Sequence, residues 1–135
     1  MLNIRIAQAN VGNNAKLRAE SGHENSVQRV LETYQILSQQ KSSNKLDLII
    51  WPETAYPFSL SSYVTQTSIQ AMPRVIKEIA NETKSDILFG GYLRDSQSKD
   101  SNVFNSAFFV GKKFDTIVYN KNKLLPFGES LPFTD

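Results

Sequence analysis

Leu46-Asp47-Leu48-Ile49-Ile50-Trp51-Pro52 is the run on which the fold turns. It is almost continuously apolar and too short for a helix, the mark of a strand buried on both faces. Pro52 ends it, because proline has no N–H to give to a ladder. Upstream, Val27, Val30, Leu31, Tyr34 and Leu37 recur at helical spacing and make one apolar stripe. Ser21, followed three residues later by Glu24, is a capping box for that helix, and the polar stretch 39–44 ends it. Further back, Leu2 to Ala9 alternates apolar and polar residues as a strand does, and residues 10–23 form a loop rich in Asn, Gly and Ser.

Downstream, the Ser/Thr-rich residues 57–68 show no clear period. Ile69, Met72, Ile76, Ile79 and Ala80 predict a second helix, with Pro73 in its first turn, where a missing N–H costs little. Asp86 to Leu93 reads as a strand whose Gly90-Gly91 pair marks a bend or a close backbone approach. After a polar loop at 94–102, Val103 to Val110 and Phe114 to Tyr119 read as antiparallel strands joined at Gly111-Lys112-Lys113. The expected order is β-α-β-α-β-β-β, an α/β (α+β) class. The first three strands, linked by helices, are expected to be parallel neighbours with right-handed crossovers.

Bulk composition narrows the function. With 135 residues, 40% hydrophobic and 21% charged, the chain has the make-up of one ordinary globular domain or a piece of a larger one. A formal charge of +2 with no basic run gives no footing for nucleic acid. No apolar run approaches the ~20 residues of a membrane helix, and nothing at the start reads as a signal peptide. There is no cysteine, which excludes disulfides, thiolate metal sites and thiol catalysis by these residues alone. No metal cluster, phosphate loop or dinucleotide fingerprint is present, so no cofactor is expected.

Two ionisable residues stand where apolar strands run into loops. Glu53 follows Trp51-Pro52; at a strand's end it would be fixed in direction and partly desolvated, which makes a carboxylate a better base near neutral pH. Lys121 follows the last strand and could hold an oxyanion. Spacing alone leaves open that both are surface loop residues, and it reads Lys123 as solvated. Glu129, in Pro126-Phe127-Gly128-Glu129, reads on composition as part of a rigid turn. His23, the one histidine, lies in a polar loop and reads as exposed. Asn102 and Asn105 could hydrogen-bond a substrate, though such residues more often satisfy turns and strand ends.

Taken together, Trp51-Pro52-Glu53 and Tyr119-x-Lys121-x-x-Leu124 resemble the carbon–nitrogen hydrolase (nitrilase) superfamily, with its Glu-Lys-Cys triad. The longer runs Trp51-Pro52-Glu53-Thr54-Ala55-Tyr56-Pro57 and Leu124-Leu125-Pro126-Phe127-Gly128-Glu129 resemble, more narrowly, the catalytic domain of the apolipoprotein N-acyltransferases. Asn105-Ser106-Ala107 sits where the superfamily commonly has a similar strand. The resemblance covers essentially the whole chain and implies a four-layer α-β-β-α sandwich, of which residues 1–135 would be a partial domain. It further implies Glu53 and Lys121 as catalytic residues and Glu129 as a second essential glutamate beside them.

The same resemblance implies a phospholipid acyl donor, an apolipoprotein acceptor and a thioester intermediate on a cysteine lying beyond Glu129. Residues 1–135 hold neither that cysteine nor the family's membrane helices, and Ser130 stands where the family often carries an aromatic residue. The chain is therefore expected to be a fragment, silent by itself, whose thiol a companion chain could supply. The family implies a bacterial inner membrane with the catalytic domain periplasmic; these residues alone would be expected to be soluble or cytoplasmic. Two rival readings are a fragment of a soluble amidase or nitrilase with the same triad, and a non-catalytic remnant domain. The extended Pro-Phe-Gly-Glu segment argues against the first.

Overall fold

The computed structural model describes residues 1–10, 24–65, 71–95 and 102–123. Within them the chain builds β1 (Ile4–Ile6), α1 (Glu24–Gln39), β2 (Leu48–Ile50), β3 (Ser59–Ser61), a 3-10 turn (Ser62–Thr65), α2 (Arg74–Thr83), β4 (Asp86–Arg94), β5 (Val103–Val110) and β6 (Thr116–Asn120). The six strands form one sheet ordered β1-β2-β4-β5-β6, with β3 also paired to β4. β1, β2 and β4 are parallel neighbours, as the two intervening helices require, and β4-β5-β6 is an antiparallel meander. The predicted class and element order hold. The added element is β3, whose Ser-Leu-Ser sequence shows no strand period because only Leu60 is buried.

Side-chain alternation gives the sheet two different faces. One carries Ile49, Ile87, Phe89, Phe108 and Val110, all fully buried, in one cluster with Val27, Val30 and Tyr34 of α1 and Ile76, Ile79 and Ala80 of α2. Phe89 stacks on Phe108 at 5.1 Å, and Tyr34 stacks on Trp51 at 4.7 Å. The indole N–H of Trp51 donates to Ser38 Oγ at 2.8 Å, so its one polar atom is satisfied inside the core. Arg5 also turns to this side and donates to the carbonyls of Ser38 and Gln40 at 2.7 and 2.6 Å, closing the C-terminal end of α1.

The other face is apolar but open. One register row, Ile6, Ile50, Leu88, Phe109 and Ile117, crosses five strands, and both of its ends are exposed. No second sheet covers it among the described residues. Hence the continuous apolar reading of β2, which carries hydrophobic side chains on both faces while helices cover one of them. We expect concentration-dependent self-association through this face. Sedimentation velocity should show it, and Ile6→Asp with Ile117→Asp should suppress it; a clean monomer at all concentrations would contradict the expectation.

Several boundaries differ from those read in the sequence. β1 is shorter than Leu2 to Ala9, although Ala7 N–H still reaches the Ile50 carbonyl at 2.9 Å. Pro73 is the N-cap of α2, not part of its first turn: its ψ of 143° is extended, and the helix starts at Arg74. β6 starts at Thr116 because Phe114 takes a left-handed φ of 63° inside the 111–115 turn. Ser21, Ile69 and the loop at 11–23 lie outside the described residues.

Candidate active site

β2 and β3 run along the same edge of β4, both parallel to it. Ile50 pairs with Leu88 and Ser59 with Tyr92, so the chain between Ile50 and Ser59 is longer than the stretch it flanks. The surplus leaves the sheet as an excursion, as a bulged strand does beside many active sites. Trp51 N–H bonds the Leu88 carbonyl at 2.8 Å on entry, and Tyr56 N–H bonds the Gly90 carbonyl at 3.0 Å on return. Glu53 stands near the top of the excursion, and the next residue, Thr54, holds a φ of 50°. A β-branched residue in that region costs of order 1 kcal/mol or more and persists only where its surroundings over-determine it.

Gly90 lets the excursion sit down on the sheet. A Cβ at this position would lie 2.6 Å from Glu53 Cα, 2.7 Å from the Pro52 carbonyl oxygen and 2.7 Å from Thr54 N, all backbone atoms that cannot swing aside. The expectation of a close backbone approach at Gly90-Gly91 is met at Gly90; a Cβ at Gly91 would meet its nearest neighbours, Phe108 and Tyr56, at 3.5 Å.

Lys121 arrives from the other side of the sheet. Its N–H donates to the Asn105 carbonyl at 2.8 Å, one step past the last β5–β6 register pair, Ser106 with Asn120. Ser106 Oγ and Asn120 Oδ1 are 2.7 Å apart on the core side and tie the same two strands together. From that anchor Lys121 Nζ reaches Glu53 Oε1 at 2.9 Å, across 68 residues of sequence. Asn105 Nδ2 donates to the same oxygen at 2.7 Å. The three side chains line a cleft of about 320 Å³ on the open face, floored by Leu88, Gly90 and Ala107 and flanked by Tyr119.

The Glu53 side chain is 58% exposed and that of Lys121 27%. The desolvation of Glu53 is only partial, because the excursion that carries it lies on the uncovered face of the sheet. An ion pair this open contributes ~1 kcal/mol or less to stability. Backbone bonds on both sides nevertheless fix where the two side chains start. The pairing of a carboxylate with an ammonium on one cleft wall suits proton abstraction by the first and anion stabilisation by the second.

Of the other candidates, Lys123 is exposed, as expected. Asn102 is exposed too, and its carbonyl accepts from Asp95 N–H at 3.0 Å, a loop-closing role. His23 and Glu129 lie outside the described residues. No group of three or more His, Cys, Asp or Glu side chains able to hold a metal occurs among the described residues. Sequence reasoning left Asn105 undecided. The usable signal was an asparagine inside a β-branched and aromatic strand, where that residue type is depleted.

Tyr56 braces the excursion from below. It is buried, and its ring meets Phe89 and Phe58 edge-on at 5.9 and 5.8 Å. Burial pushes its hydroxyl from 10.0 up to about 12. The folded chain therefore keeps this proton where the unfolded chain has lost it. The stabilisation is fully present below pH 10 and drains away between pH 10 and 12, by about 2–3 kcal/mol in all. Urea midpoints measured across that range should fall steeply for the wild-type chain and less steeply for Tyr56→Phe. Burial raises Tyr34 as well, so some decline will remain.

A sheet with two helices on one face, parallel at one side and a meander at the other, is shared with solved amidase structures. Solved structures of an N-terminal amidase, one with a Gln-Val peptide and one carrying a C187S change, superpose with a TM-score of 0.61 at 20% identity, covering 92% of this chain and 28% of theirs. Those structures establish the fold. In sequence, the chain is a relative of the apolipoprotein N-acyltransferases over nearly its whole length. It is 32% identical over 133 aligned positions to the Apolipoprotein N-acyltransferase of Ralstonia nicotianae, covering 98% of this chain and 22% of that protein. It is 28% identical over 138 positions to that of Bdellovibrio bacteriovorus, covering 96% of this chain and 24% of that one. The chain thus spans about a quarter of the length of the curated relatives it matches. No family model matches it. No helix among the described residues is long and apolar enough to cross a membrane.

Proposed function

We propose that residues 1–135 carry the Glu-Lys half of an acyl-transfer site of the apolipoprotein N-acyltransferase kind. The reaction would move an acyl chain from a phospholipid to the amino-terminal cysteine amine of a lipoprotein through a thioester. The observation that carries this reading is the 2.9 Å contact between Lys121 Nζ and Glu53 Oε1, made by residues that the sequence motifs had paired.

The roles follow from the chemistry. Glu53 accepts the proton of the attacking thiol, since the thiolate is the useful nucleophile. The thiolate carbon–sulfur bond forms as the phospholipid ester carbonyl becomes an oxyanion, which the Lys121 ammonium stabilises. Collapse expels the lysophospholipid alkoxide, which takes up a proton, and leaves the thioester. The acceptor amine then attacks that thioester, Lys121 again holding the oxyanion, and the thiol is released. Glu129 orients Lys121 or the incoming amine. These residues contain no cysteine, so the thiol comes from sequence outside them, in the same chain or in a companion.

The purified 135-residue chain should therefore show no transfer from a fluorescent phospholipid to a diacylated lipopeptide. Grafted in place of the aligned segment of the Ralstonia nicotianae relative, it should support transfer, and Glu53→Gln should abolish it. Transfer by the isolated chain, lost on Glu53→Gln, would sink the proposed thiol dependence. An active graft indifferent to Glu53→Gln would sink the site.

A further inference from the structure

We infer that Asn105 is a positioning residue of this site, a strand-borne amide that fixes where the Glu53 carboxylate stands relative to Lys121. The inference rests on the reading of Glu53 and Lys121 as the working pair and adds a third member to it.

Three observations converge on this residue. Its side chain donates from Nδ2 to Glu53 Oε1 at 2.7 Å, the same oxygen that Lys121 Nζ approaches at 2.9 Å. Its main-chain carbonyl accepts the Lys121 N–H at 2.8 Å. One residue thus touches both members of the pair, one through its side chain and the other through its backbone. Its register partner is Tyr92, two steps along β4 from Gly90, so it stands on the sheet face on which the Glu53 excursion rests.

The chemistry selects an amide. A lysine side chain has four rotatable bonds and meets a half-exposed glutamate in many geometries, so the ion pair alone does not fix the carboxylate. A short amide on a paired strand has two torsions and supplies a directional donor. An aspartate of the same shape would present only acceptors to Glu53 and repel it. An aliphatic residue, which the strand's propensity would favour, would offer the carboxylate no donor from this strand. Breaking a local propensity rule inside a strand is expected where function outranks stability.

The test is a titration of the Glu53 carboxyl by carbon-detected NMR on the 135-residue chain, in wild type, Lys121→Met, Asn105→Ala and Asn105→Ser. Amide exchange at Lys121 is followed in parallel, because its N–H bonds the residue-105 backbone whatever the side chain. Loss of a donor that favours the charged form should raise the proton affinity of Glu53 about threefold or more in both Asn105 variants. Lys121 amide protection should stay unchanged. An unmoved Glu53 titration in both variants overturns the inference. So does a shift accompanied by lost Lys121 protection in both, which would make the role merely structural. The pair reading is tested separately by Lys121→Met. If that change leaves Glu53 unmoved the pair itself fails, whereas a shift there with none in the Asn105 variants removes Asn105 alone.

Discussion

Lys121→Ala is expected to lower acyl transfer by roughly 100- to 1000-fold in the Ralstonia nicotianae graft, with little loss of folding. The kinetic half follows from the ammonium's proposed role as the charged donor to the developing oxyanion. Removing one such donor costs about 3–4 kcal/mol of transition-state stabilisation, since the tetrahedral oxygen carries charge the ground-state ester lacks. The folding half follows from exposure. With the Glu53 side chain 58% exposed and that of Lys121 27%, the ion pair adds ~1 kcal/mol or less to stability. The backbone bond from Lys121 N–H to the Asn105 carbonyl survives the substitution, so β6 keeps its last rung. A rate loss under tenfold with an unchanged melting temperature would remove Lys121 from the chemistry. A melting temperature that falls in step with activity would make the pair structural.

Gly90→Ala should be the most damaging single-methyl substitution in the sheet. The added carbon would sit 2.6 Å from Glu53 Cα and 2.7 Å from two further backbone atoms. Neither β4 nor the excursion can yield cheaply, because the Trp51–Leu88 and Tyr56–Gly90 bonds clamp them at both ends of the contact. Overpacking of this kind typically costs 1–3 kcal/mol, and a backbone-on-backbone clash belongs at the upper end. Gly91→Ala is the matched control. Its new methyl would meet the Phe108 ring and Tyr56 at ordinary contact distances of 3.5 Å, so a change within ~1 kcal/mol is expected. Denaturant melts of the two variants should differ by at least ~1 kcal/mol. In the graft, Gly90→Ala should also depress activity beyond what its stability explains, because Glu53 is the residue it pushes. Equal melts for the two variants would contradict this account of the excursion.

Much of this arrangement was legible in the sequence, for reasons particular to its residues. β2 and β4 announced themselves because a short apolar run between two periodic stripes has few other folds open to it. α1 was readable from Val27 to Leu37 because one stripe meets one sheet face. β3 was not, since its pairing depends on a line of carbonyls and amides along β4 and its own side chains say little. The start of β6 was misread because Phe114 looks like a strand residue, and only the tight turn bonds between Gly111 and Asp115 explain its left-handed backbone. At the site, Glu53 and Lys121 were proposed from motifs, and their meeting is a property of the sheet order, which no local pattern encodes. That both could be surface loop residues was visible too, but how far each is exposed depends on what covers the open sheet face. Asn105 was half-seen: its oddity in a strand was visible, but its bond to a loop 52 residues earlier was not.

The threading of β2 and β3 along one edge of β4 has a consequence for how this segment can change in length. Most loops absorb an inserted or deleted residue by rearranging in solvent. Here both ends are stitched to the same neighbouring strand, so a gained or lost residue between Trp51 and Phe58 can escape only by reshaping the kink that presents Glu53. Drift in length is thereby coupled directly to the carboxylate's reach, and descendants that retain the chemistry should keep that interval invariant even as residues within it are exchanged.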